Sequence, residues 1–465
     1  MEHFSAIILA AGKGTRMKSS LPKVLHPLLN KPILQYVVEA ALDAGIREQL
    51  VVVGHEANVV EQALTGQTWA NCCRYVYQEQ QLGTGHALLC ALPKLSADCK
   101  DVLVLCGDTP LISADLLKAF IGQFAASGAR AAVLTARLAD PAGYGRIVLD
   151  EAGDFLAIVE EKEASEAEKT IREINSGIYC FKRALLKDAV SGLNNANAKG
   201  EYYLTDILSI LRGQGQKVLA FRHDCAEQIS GINDRVQLAQ ATLMMQNRVN
   251  TKWMLAGVTI IDPSATYIDT DVQIGRDTVI EPQTYLRGKT IIGNDCHIGV
   301  GSEISNSKLG NNVYTRHAII VESEIGNGCD IGPFTYIRPG SKLHARVKAG
   351  HFVELKKAEI GSGSKVPHLS YIGDAVLGCK VNIGCGTITC NYDGQHKYTT
   401  TIGDEAFIGS NTNFIAPVSI GARAIIGAGS TITQDVPADA LAIERAQQKN
   451  IPEWAIRNKN HETEE

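Results

Sequence analysis

Two patterns follow one another along the chain and predict two folds: a Rossmann-like α/β domain with a mostly parallel sheet, then a left-handed parallel β-helix. Up to about residue 230, short apolar segments such as IILAAG and VLVLCGD alternate with helix-like segments. From about residue 255, an aliphatic residue followed by glycine recurs, often at intervals of six residues or multiples of six. Alternating strands and helices are typical of a doubly wound sheet, and a hexapeptide period is typical of a β-helix.

Size and charge narrow the classes of protein to consider. The 465 residues suffice for two to four domains, and 45 basic against 50 acidic residues give a net charge of -5 without a long basic run. This pattern predicts no nucleic-acid partner. We find neither the ~18 consecutive apolar residues of a membrane span nor the residue order of a signal peptide. We therefore expect a cytoplasmic protein without a membrane partner.

The twelve cysteines are scattered and form no CxxC pair. Without an export signal, this spacing favours reduced thiols that serve mainly in packing. The histidines are also dispersed, so the ligand spacing of a zinc site is missing. We predict no zinc.

The α/β pattern predicts a first domain over residues 1–231. Its first long helix is expected to begin near Pro32, which suits a first helical turn, and to end at Gly45. A segment without turn signals then predicts a linker helix over 232–254. The β-helix is expected over 255–445, and a charged tail, mobile or packed on a partner, over 446–465.

The hexapeptide repeat runs from Ile274-Gly275 to Ile426-Gly427 and breaks in places, notably between Ile383 and Ile402. Between Ile383 and Ile402 the segment CNYDGQHKYTT must leave the coil as a loop. Such a loop is either tolerated decoration or a binding loop. We favour binding, because long loops often carry function.

The first chemical motif is LAAGKGTRMKSSLPKVL, which places glycines, Arg16 and Lys23 directly after a buried strand. At this point of an open α/β sheet, backbone N–H groups can hold phosphates. A glycine-rich turn alone could be an ordinary strand-to-helix connection. The combination with Arg16 and Lys23 resembles the signature of sugar-1-phosphate nucleotidyltransferases, in which the loop covers a triphosphate and the two cations neutralise its charge.

Further motifs match this family in the order that the resemblance requires. They are QEQQLGTGHA for the uracil ring, CGDTPL and SGINDR for Mg²⁺ bound by Asp108 and Asn233, and GYGRI, IVEEK and INSGI for the sugar. The resemblance assigns nucleotide and sugar binding to Leu9, Ala10, Gly12, Gly14, Thr15, Arg16, Lys23, Gln78, Gly83, Thr84, Cys106, Gly107, Asp108, Gly143, Glu160, Asn175 and Asn233. Cys106 departs from the family, which often has an aromatic residue before the Gly-Asp pair.

The reaction that this set implies is an in-line displacement. A sugar phosphate oxygen would attack the α-phosphate of UTP, while Mg²⁺, Arg16 and Lys23 stabilise charge as pyrophosphate leaves. Mg²⁺ prefers oxygen ligands and keeps waters and substrate phosphates, so two protein ligands are enough. No protein nucleophile is needed.

The β-helix could be only a stalk or an assembly device, but several polar residues favour a catalytic role. Arg338 in YIRPGS, Lys356 in VELKKAEIG, and His368 and Tyr371 in KVPHLSYIGD lie within a few coils, and Asn382 follows. Together they offer two cations and polar donors for a phosphate, beside an imidazole, the only side chain type whose unperturbed pKa lies near neutrality.

These residues and ITCNYDG resemble the acetyltransferase half of bifunctional UDP-N-acetylglucosamine pyrophosphorylase/glucosamine-1-phosphate acetyltransferases, and the resemblance covers nearly the whole chain. It implies that His368 is the general base, and that Arg338, Lys356, Tyr371 and Asn382 hold the sugar phosphate. It places acetyl-CoA along Cys385, Asn391, Tyr392, Ser410, Ala428 and Arg445. Cys385 stands where the family commonly has alanine, and no cysteine nucleophile is implied. His351 and His396 are alternative bases without the HLSY context.

The resemblance further implies a homotrimer assembled through the β-helix and a role in supplying a cell-wall precursor. Two other interpretations remain open. The chain could be a single-activity nucleotidyltransferase with a structural or regulatory β-helix, or a non-enzymatic scaffold with a nucleotide-sensing domain. The set around His368 argues against the first, and the Asp108/Asn233 pair argues against the second.

Overall fold

The computed structural model describes residues 3–66, 70–197 and 200–456. The chain divides into two compact units, Met1–Met245 (unit 1) and Gln246–Glu465 (unit 2). The division falls inside the helix Arg235–Leu255, in the region where the sequence predicts a linker helix over 232–254. The part of the predicted tail from residue 457 onward lies outside the described residues.

Unit 1 is built on a mixed sheet of nine strands in its described part. Seven strands form the main path, in the spatial order Val218–His223, Ala131–Arg137, Glu173–Lys182, Asp101–Cys106, Phe4–Leu9, Glu48–Val53 and Cys73–Tyr77. Two more, Arg146–Leu149 and Phe155–Val159, lie off this path. Four of the six pairings along the path are parallel, which confirms the predicted mostly parallel sheet. The exception is Glu173–Lys182, which runs antiparallel to both neighbours.

Helices cover both faces of this sheet and bury two apolar clusters against it. The α-helices that begin in unit 1 span Ile33–Asp43, Ala57–Leu64, Thr84–Ala91, Ala114–Ser127, Glu166–Lys169, Arg183–Ser191, Asp206–Gly213 and Arg235–Leu255. The first begins directly after Pro32, as the sequence predicts. Gly45 follows its end with φ +91°, a left-handed conformation that glycine adopts without a steric penalty.

Unit 2 continues from the helix into a left-handed parallel β-helix with three faces, which confirms the second predicted fold. Face A contains Thr259–Ile260, Val279–Ile280, His297–Ile298, Tyr314–Thr315, Asp330–Ile331, Lys348–His351, Lys365–His368, Asn382–Ile383, Phe407–Ile408, Ile425–Ile426 and Leu441–Ala442. Face B contains Thr266–Ile268, Thr284–Arg287, Glu303–Ser305, Ala318–Val321, Thr335–Ile337, Glu354–Lys356, Tyr371–Gly373, Ile388–Cys390, Asn413–Ile415 and Thr431–Ile432. Face C contains Gln273–Ile274, Ile291–Ile292, Lys308–Leu309, Glu324–Ile325, Lys342–Leu343, Glu359–Ile360, Ala375–Leu377, Thr400–Ile402 and Val418–Ile420.

The repeat explains this architecture. Strands of successive coils pair in parallel register, so Ile280 lies over Ile298, and these inward side chains are fully buried. Stacked aliphatic side chains bury a continuous core that one coil could not bury alone. Glycine is required where the backbones of neighbouring coils approach: a Cβ at Gly384 would lie 2.5 Å from the Ser410 backbone nitrogen.

Three further features concern the cysteines, possible metal ligands and the length of the helices. All twelve cysteines have free thiols, and five of them are buried. Within residues 3–66, 70–197 and 200–456, no group of three or more His, Cys, Asp or Glu could hold a metal. None of the helices in these ranges combines the length and the apolar character that a bilayer span needs.

Candidate active sites

The glycine-rich loop of unit 1 follows the central strand Phe4–Leu9 and brings two cations to its carboxyl end. Arg16 lies on the short 3₁₀ helix Thr15–Met17, and Lys23 begins a second one, Lys23–Leu25. Gly14 has φ +60°, and a Cβ there would lie 2.6 Å from the Lys23 Cβ. The loop therefore folds back closely on Lys23 because Gly14 lacks a side chain.

Four predicted residues meet at one point. Lys23 Nζ forms an ion pair with Asp108, which follows the strand Asp101–Cys106. The same Nζ donates to Asn233 Oδ1 at 3.3 Å, and Arg16 donates to that oxygen at 2.9 Å. Asp108 and Asn233 are also tied through the backbone, since Ile232 N donates to Asp108 O at 2.9 Å. Residues from distant parts of the chain thus form one charged cluster.

The geometry of this cluster fits a small hard cation. The Lys23 ammonium contacts the Asp108 carboxylate and the Asn233 amide oxygen together, so both oxygens face one cationic position. Mg²⁺ takes oxygen ligands and completes its shell with water and substrate phosphates. Asp108 and Asn233 could therefore hold Mg²⁺ once the phosphates of a nucleotide engage Lys23.

A cavity of about 600 Å³ opens beside the cluster. Its walls include eleven of the predicted residues: Leu9, Ala10, Gly12, Gly14, Thr15, Lys23, Gln78, Gly83, Thr84, Cys106 and Asp108. A second cavity of about 150 Å³ shares Leu9, Thr84 and Cys106 with the first and is also lined by Glu160 and Asn175. Most of the predicted nucleotide and sugar residues therefore line two adjoining spaces.

Four of the predicted residues do not line these cavities: Arg16 and Asn233, which belong to the charged cluster, and two glycines. Gly107 packs against the central strand, where a Cβ would lie 3.0 Å from Leu9 O. Gly143 has φ +85° in the turn before Tyr144, with open space around it.

The predicted uracil loop is held by a segment that the sequence reasoning missed. Gln78 donates to Gly83 O at 3.0 Å, and Gly83 has φ +106°. The backbone of Tyr202 accepts from Gly85 N at 2.8 Å, and Leu204 N donates to the Thr84 hydroxyl at 3.1 Å. Residues 201–205 also contribute to both cavities, and no motif in the sequence signalled this pairing.

Cys106 stands where the family often has an aromatic residue, and it packs against Gly177. Its thiol donates to Gly177 O at 3.3 Å, and a Cβ on Gly177 would lie 2.7 Å from Sγ. Burial raises the pKa of Cys106 to about 12, so the thiol remains protonated and is a poor nucleophile. Nearby, Gly177 N donates to Asn175 Oδ1 at 3.0 Å, which fixes the orientation of an amide that also contacts the Tyr179 hydroxyl.

On the β-helix, His368 ends a strand of face A and is exposed. Its ring stacks on that of His351 from the preceding coil, with ring centroids 5.7 Å apart and planes 6° apart. Continuing the register that pairs Lys365 with Asn382 places Cys385 opposite His368 on the next coil. The same register places Ser410 and Ala428 in line with them on the two following coils. Four predicted residues therefore form a column along one corner of the β-helix.

A second group of predicted residues lies at the far end of the strand Tyr371–Gly373, which follows His368. Tyr371 begins that strand and pairs with Ile388. Lys356 donates to Asp374 at 3.0 Å, and Asn391 also donates to Asp374. Arg338 pairs with Glu354 at 2.8 Å on the same face. His368 and Lys356 therefore lie at opposite ends of the face B strands.

The loop CNYDGQHKYTT forms a short hairpin, in which Tyr392 pairs with Lys397. Tyr392 is 59% exposed, and its hydroxyl donates to Gly394 O at 2.5 Å. His396 lies in the hairpin turn, held by the Asp393 carboxylate. Arg445, also exposed, packs over Gly429, whose Cβ would lie 3.6 Å from its Cδ.

The sequence reasoning missed Asp374 and Lys397 in this region. Asp374 directly follows the HLSYIG segment, but a single corner aspartate gives no sequence signal. Lys397 lies close enough to Lys356 that this ammonium lowers the Lys397 pKa. Only the fold of the loop brings it there.

Comparison with known proteins matches both units to described families. Residues 6–236 match the MobA-like NTP transferase domain, and residues 271–306 and 399–434 match bacterial transferase hexapeptide repeats. A protein named Bifunctional protein GlmU from Heliobacterium modesticaldum is 53% identical and covers 97% of each chain. Proteins of the same name from Geobacillus sp. and Brevibacillus brevis are 51% and 50% identical, covering 97% and 98% of both chains. The chain therefore belongs to the GlmU family, the bifunctional enzymes that combine N-acetylglucosamine-1-phosphate uridylyltransferase and glucosamine-1-phosphate acetyltransferase activities in one polypeptide.

Proposed function

We propose that this enzyme makes UDP-N-acetylglucosamine at two separate sites, with acetyl transfer on the β-helix followed by uridylyl transfer in the cavity of unit 1. We assign uridylyl transfer to residues 1–231 and acetyl transfer to residues 255–445. The observation that carries the proposal is the meeting of Asp108, Asn233, Lys23 and Arg16 beside a cavity of about 600 Å³. Such a cluster suits the charge of a nucleoside triphosphate.

In uridylyl transfer, Lys23 and Arg16 neutralise the triphosphate while the loop around Gly14 approaches it with backbone N–H groups. A phosphate oxygen of N-acetylglucosamine-1-phosphate attacks the α-phosphate, the new P–O bond forms and pyrophosphate leaves. When bound by Asp108 and Asn233, Mg²⁺ supplies positive charge that screens the phosphates. Glu160 and Asn175 orient the sugar in the smaller cavity.

In acetyl transfer, the amine of glucosamine-1-phosphate attacks the thioester carbonyl of acetyl-CoA. The C–N bond forms, the C–S bond breaks, and His368 accepts the proton that the amine releases. Lys356, Arg338, Tyr371 and Asn382 hold the sugar phosphate. The support is the position of His368 in the column that continues through Cys385, Ser410 and Ala428.

We also propose that the enzyme is a cytoplasmic homotrimer assembled through the β-helix and that its product supplies cell-wall synthesis. The resemblance to the family supports this assembly.

A product assay tests the two-site proposal. The wild-type protein is incubated with UTP, acetyl-CoA, glucosamine-1-phosphate and MgCl₂, and free coenzyme A, pyrophosphate and UDP-N-acetylglucosamine are measured. We expect all three products, with pyrophosphate release lost when EDTA replaces MgCl₂ and coenzyme A release retained. Pyrophosphate release only from pre-acetylated sugar phosphate would instead favour a single-activity nucleotidyltransferase.

A further inference from the structure

Asp374 occupies the corner that directly follows the strand Tyr371–Gly373, at the opposite end of that strand from His368. Its backbone is left-handed, with φ +48°, as at other corners of this β-helix such as Lys357 and Leu369. Its side chain is 16% exposed. The corner therefore directs a largely buried carboxylate toward the neighbouring coils.

This one carboxylate joins groups from both predicted substrate regions. Its Oδ2 accepts from Lys356 Nζ at 3.0 Å and also from the Asn391 amide. Lys356 belongs to the proposed sugar-phosphate site, and Asn391 to the proposed acetyl-CoA site. Lys356 and Asn391 are therefore linked directly, because both donate to the same Asp374 oxygen atom.

The backbone of Asp374 ties the same elements together. Its N–H donates to Lys356 O at 2.8 Å, and its carbonyl accepts from Thr400 N at 3.2 Å. Thr400 begins the strand that the hairpin 391–399 enters when it rejoins the coil. Asp374 therefore contacts the preceding coil and both ends of the hairpin.

The charges explain why a carboxylate is needed here. Lys356 lowers the pKa of Lys397, first through a hydrogen bond between the two amino groups and then through charge repulsion. The hydrogen bond to Asp374 raises the pKa of Lys356. Burial opposes ionisation of Asp374, but the bonds from Lys356 and Asn391 outweigh it and lower the pKa of this carboxyl. An ionised Asp374 thus offsets the repulsion between two lysines.

We propose that Asp374 is a positioning residue that couples the sugar-phosphate and acetyl-CoA subsites of the acetyltransferase. This inference rests on the proposed acetyl-transfer site. Asp374 acts through Lys356 and Asn391 and not on the reacting atoms. A substrate that engages either partner changes the bond of the shared oxygen to the other, so the two binding events depend on each other.

The Asp374→Asn substitution in the full-length enzyme tests the role of the carboxylate. An amide has the same shape but loses the charge and one acceptor oxygen. We expect the KM for glucosamine-1-phosphate and the Kd for acetyl-CoA each to rise about tenfold, with a smaller loss in kcat. Uridylyl transfer should stay unchanged. A matched control is Glu405→Gln, which removes a carboxylate paired with Lys380 of the preceding coil at 3.1 Å.

A double-mutant cycle tests the coupling, and its two single variants, Asn391→Ala and Lys356→Ala, do not depend on how well Asp374→Asn folds. With Asp374 intact, Asn391→Ala should raise the KM for glucosamine-1-phosphate about threefold, although Asn391 belongs to the acetyl-CoA side. Lys356→Ala should likewise raise the Kd for acetyl-CoA. In the Asp374→Asn background both cross-effects should disappear.

Three results would overturn the coupling: wild-type constants in Asp374→Asn, a change confined to one substrate, or no cross-effect of Asn391→Ala and Lys356→Ala. Absence of acetyl transfer in the wild-type enzyme is a different result, which would refute the proposed function itself.

Discussion

The candidate site of unit 1 surrounds a cavity, whereas that of unit 2 lies on the outside of a coil. In unit 1, Lys23 and Asp108 meet with side chains that are 15% and 21% exposed. In unit 2, His368, Cys385 and Ser410 are exposed, and only at the other end of the face B strands are Lys356 and Asp374 shielded, with side chains 13% and 16% exposed. An α/β sheet gathers strand ends at one edge, where loops can enclose a ligand. A β-helix fills its interior with aliphatic side chains, so polar groups remain for its outer faces and corners.

This contrast explains how each unit brings charges together. Unit 1 collects them from loops far apart in sequence, as when Arg16 reaches Asn233. Unit 2 aligns them by stacking, as when Lys356, Asp374 and Asn391 follow one another along the coils. We expect substitutions to separate the two sites cleanly.

The largest expected effect is that of Asp108→Ala. Removing a proposed metal ligand and the partner of Lys23 should abolish uridylyl transfer, a loss of about 10³-fold or more. Acetyl transfer should remain nearly intact because its residues lie in unit 2. Pyrophosphate and coenzyme A release are measured on one preparation, with Asp115→Ala, whose side chain is 97% exposed, as the control. If the folded Asp108→Ala protein lost both activities, the separation of the sites would be wrong.

The second effect concerns the general base. His368→Ala should lower acetyl transfer by about 10²- to 10⁴-fold while preserving uridylyl transfer, acetyl-CoA affinity and melting temperature. His344→Ala, which removes an exposed histidine paired with Glu359, provides the control. Near wild-type acetyl transfer in His368→Ala would remove it from the mechanism. A comparable loss in His351→Ala or His396→Ala alone would move the base to that residue.

A third substitution changes the stability of unit 2 while leaving both candidate sites intact. Ile298 is fully buried in the β-helix, so Ile298→Ala should lower the free energy of unfolding of unit 2 by about 2–5 kcal/mol. Ile319, which is 44% exposed, supplies a matched control, and Ile319→Ala should change it by less than about 0.5 kcal/mol. Urea unfolding followed by circular dichroism measures both. Equal effects would contradict the inward stacking of the repeat.

The smallest expected effect is that of removing unit 1. A fragment from Gln246 onward, where unit 2 begins, should remain oligomeric and acetylate glucosamine-1-phosphate, because stacked coils bury their own core. Light scattering and coenzyme A release measure this, with the full-length enzyme for comparison. A monomeric fragment with full activity would show that no site is shared between subunits.

Much of the fold could be predicted because it follows from periodic patterns over short stretches of sequence. The hexapeptide repeat specifies a stacked coil, and the strand–helix alternation specifies a doubly wound sheet. The helix after Pro32 and the interruption between Ile383 and Ile402 follow from local residue chemistry in the same way. The antiparallel strand Glu173–Lys182 could not be predicted, since strand direction depends on pairings far apart in the chain.

The sequence by itself determined the family resemblance and the residues whose types suit phosphate, metal and proton chemistry, from Arg16 to His368. Only the tertiary structure decided which of them meet. It brought Asn233 to Lys23, placed residues 201–205 against the loop Gln78–Thr84, and set Asp374 between Lys356 and Asn391. Sequence motifs report residue types over short spans. Contacts across long loops and between stacked coils depend instead on packing and on the few close approaches that residues such as Gly14 and Gly384 permit.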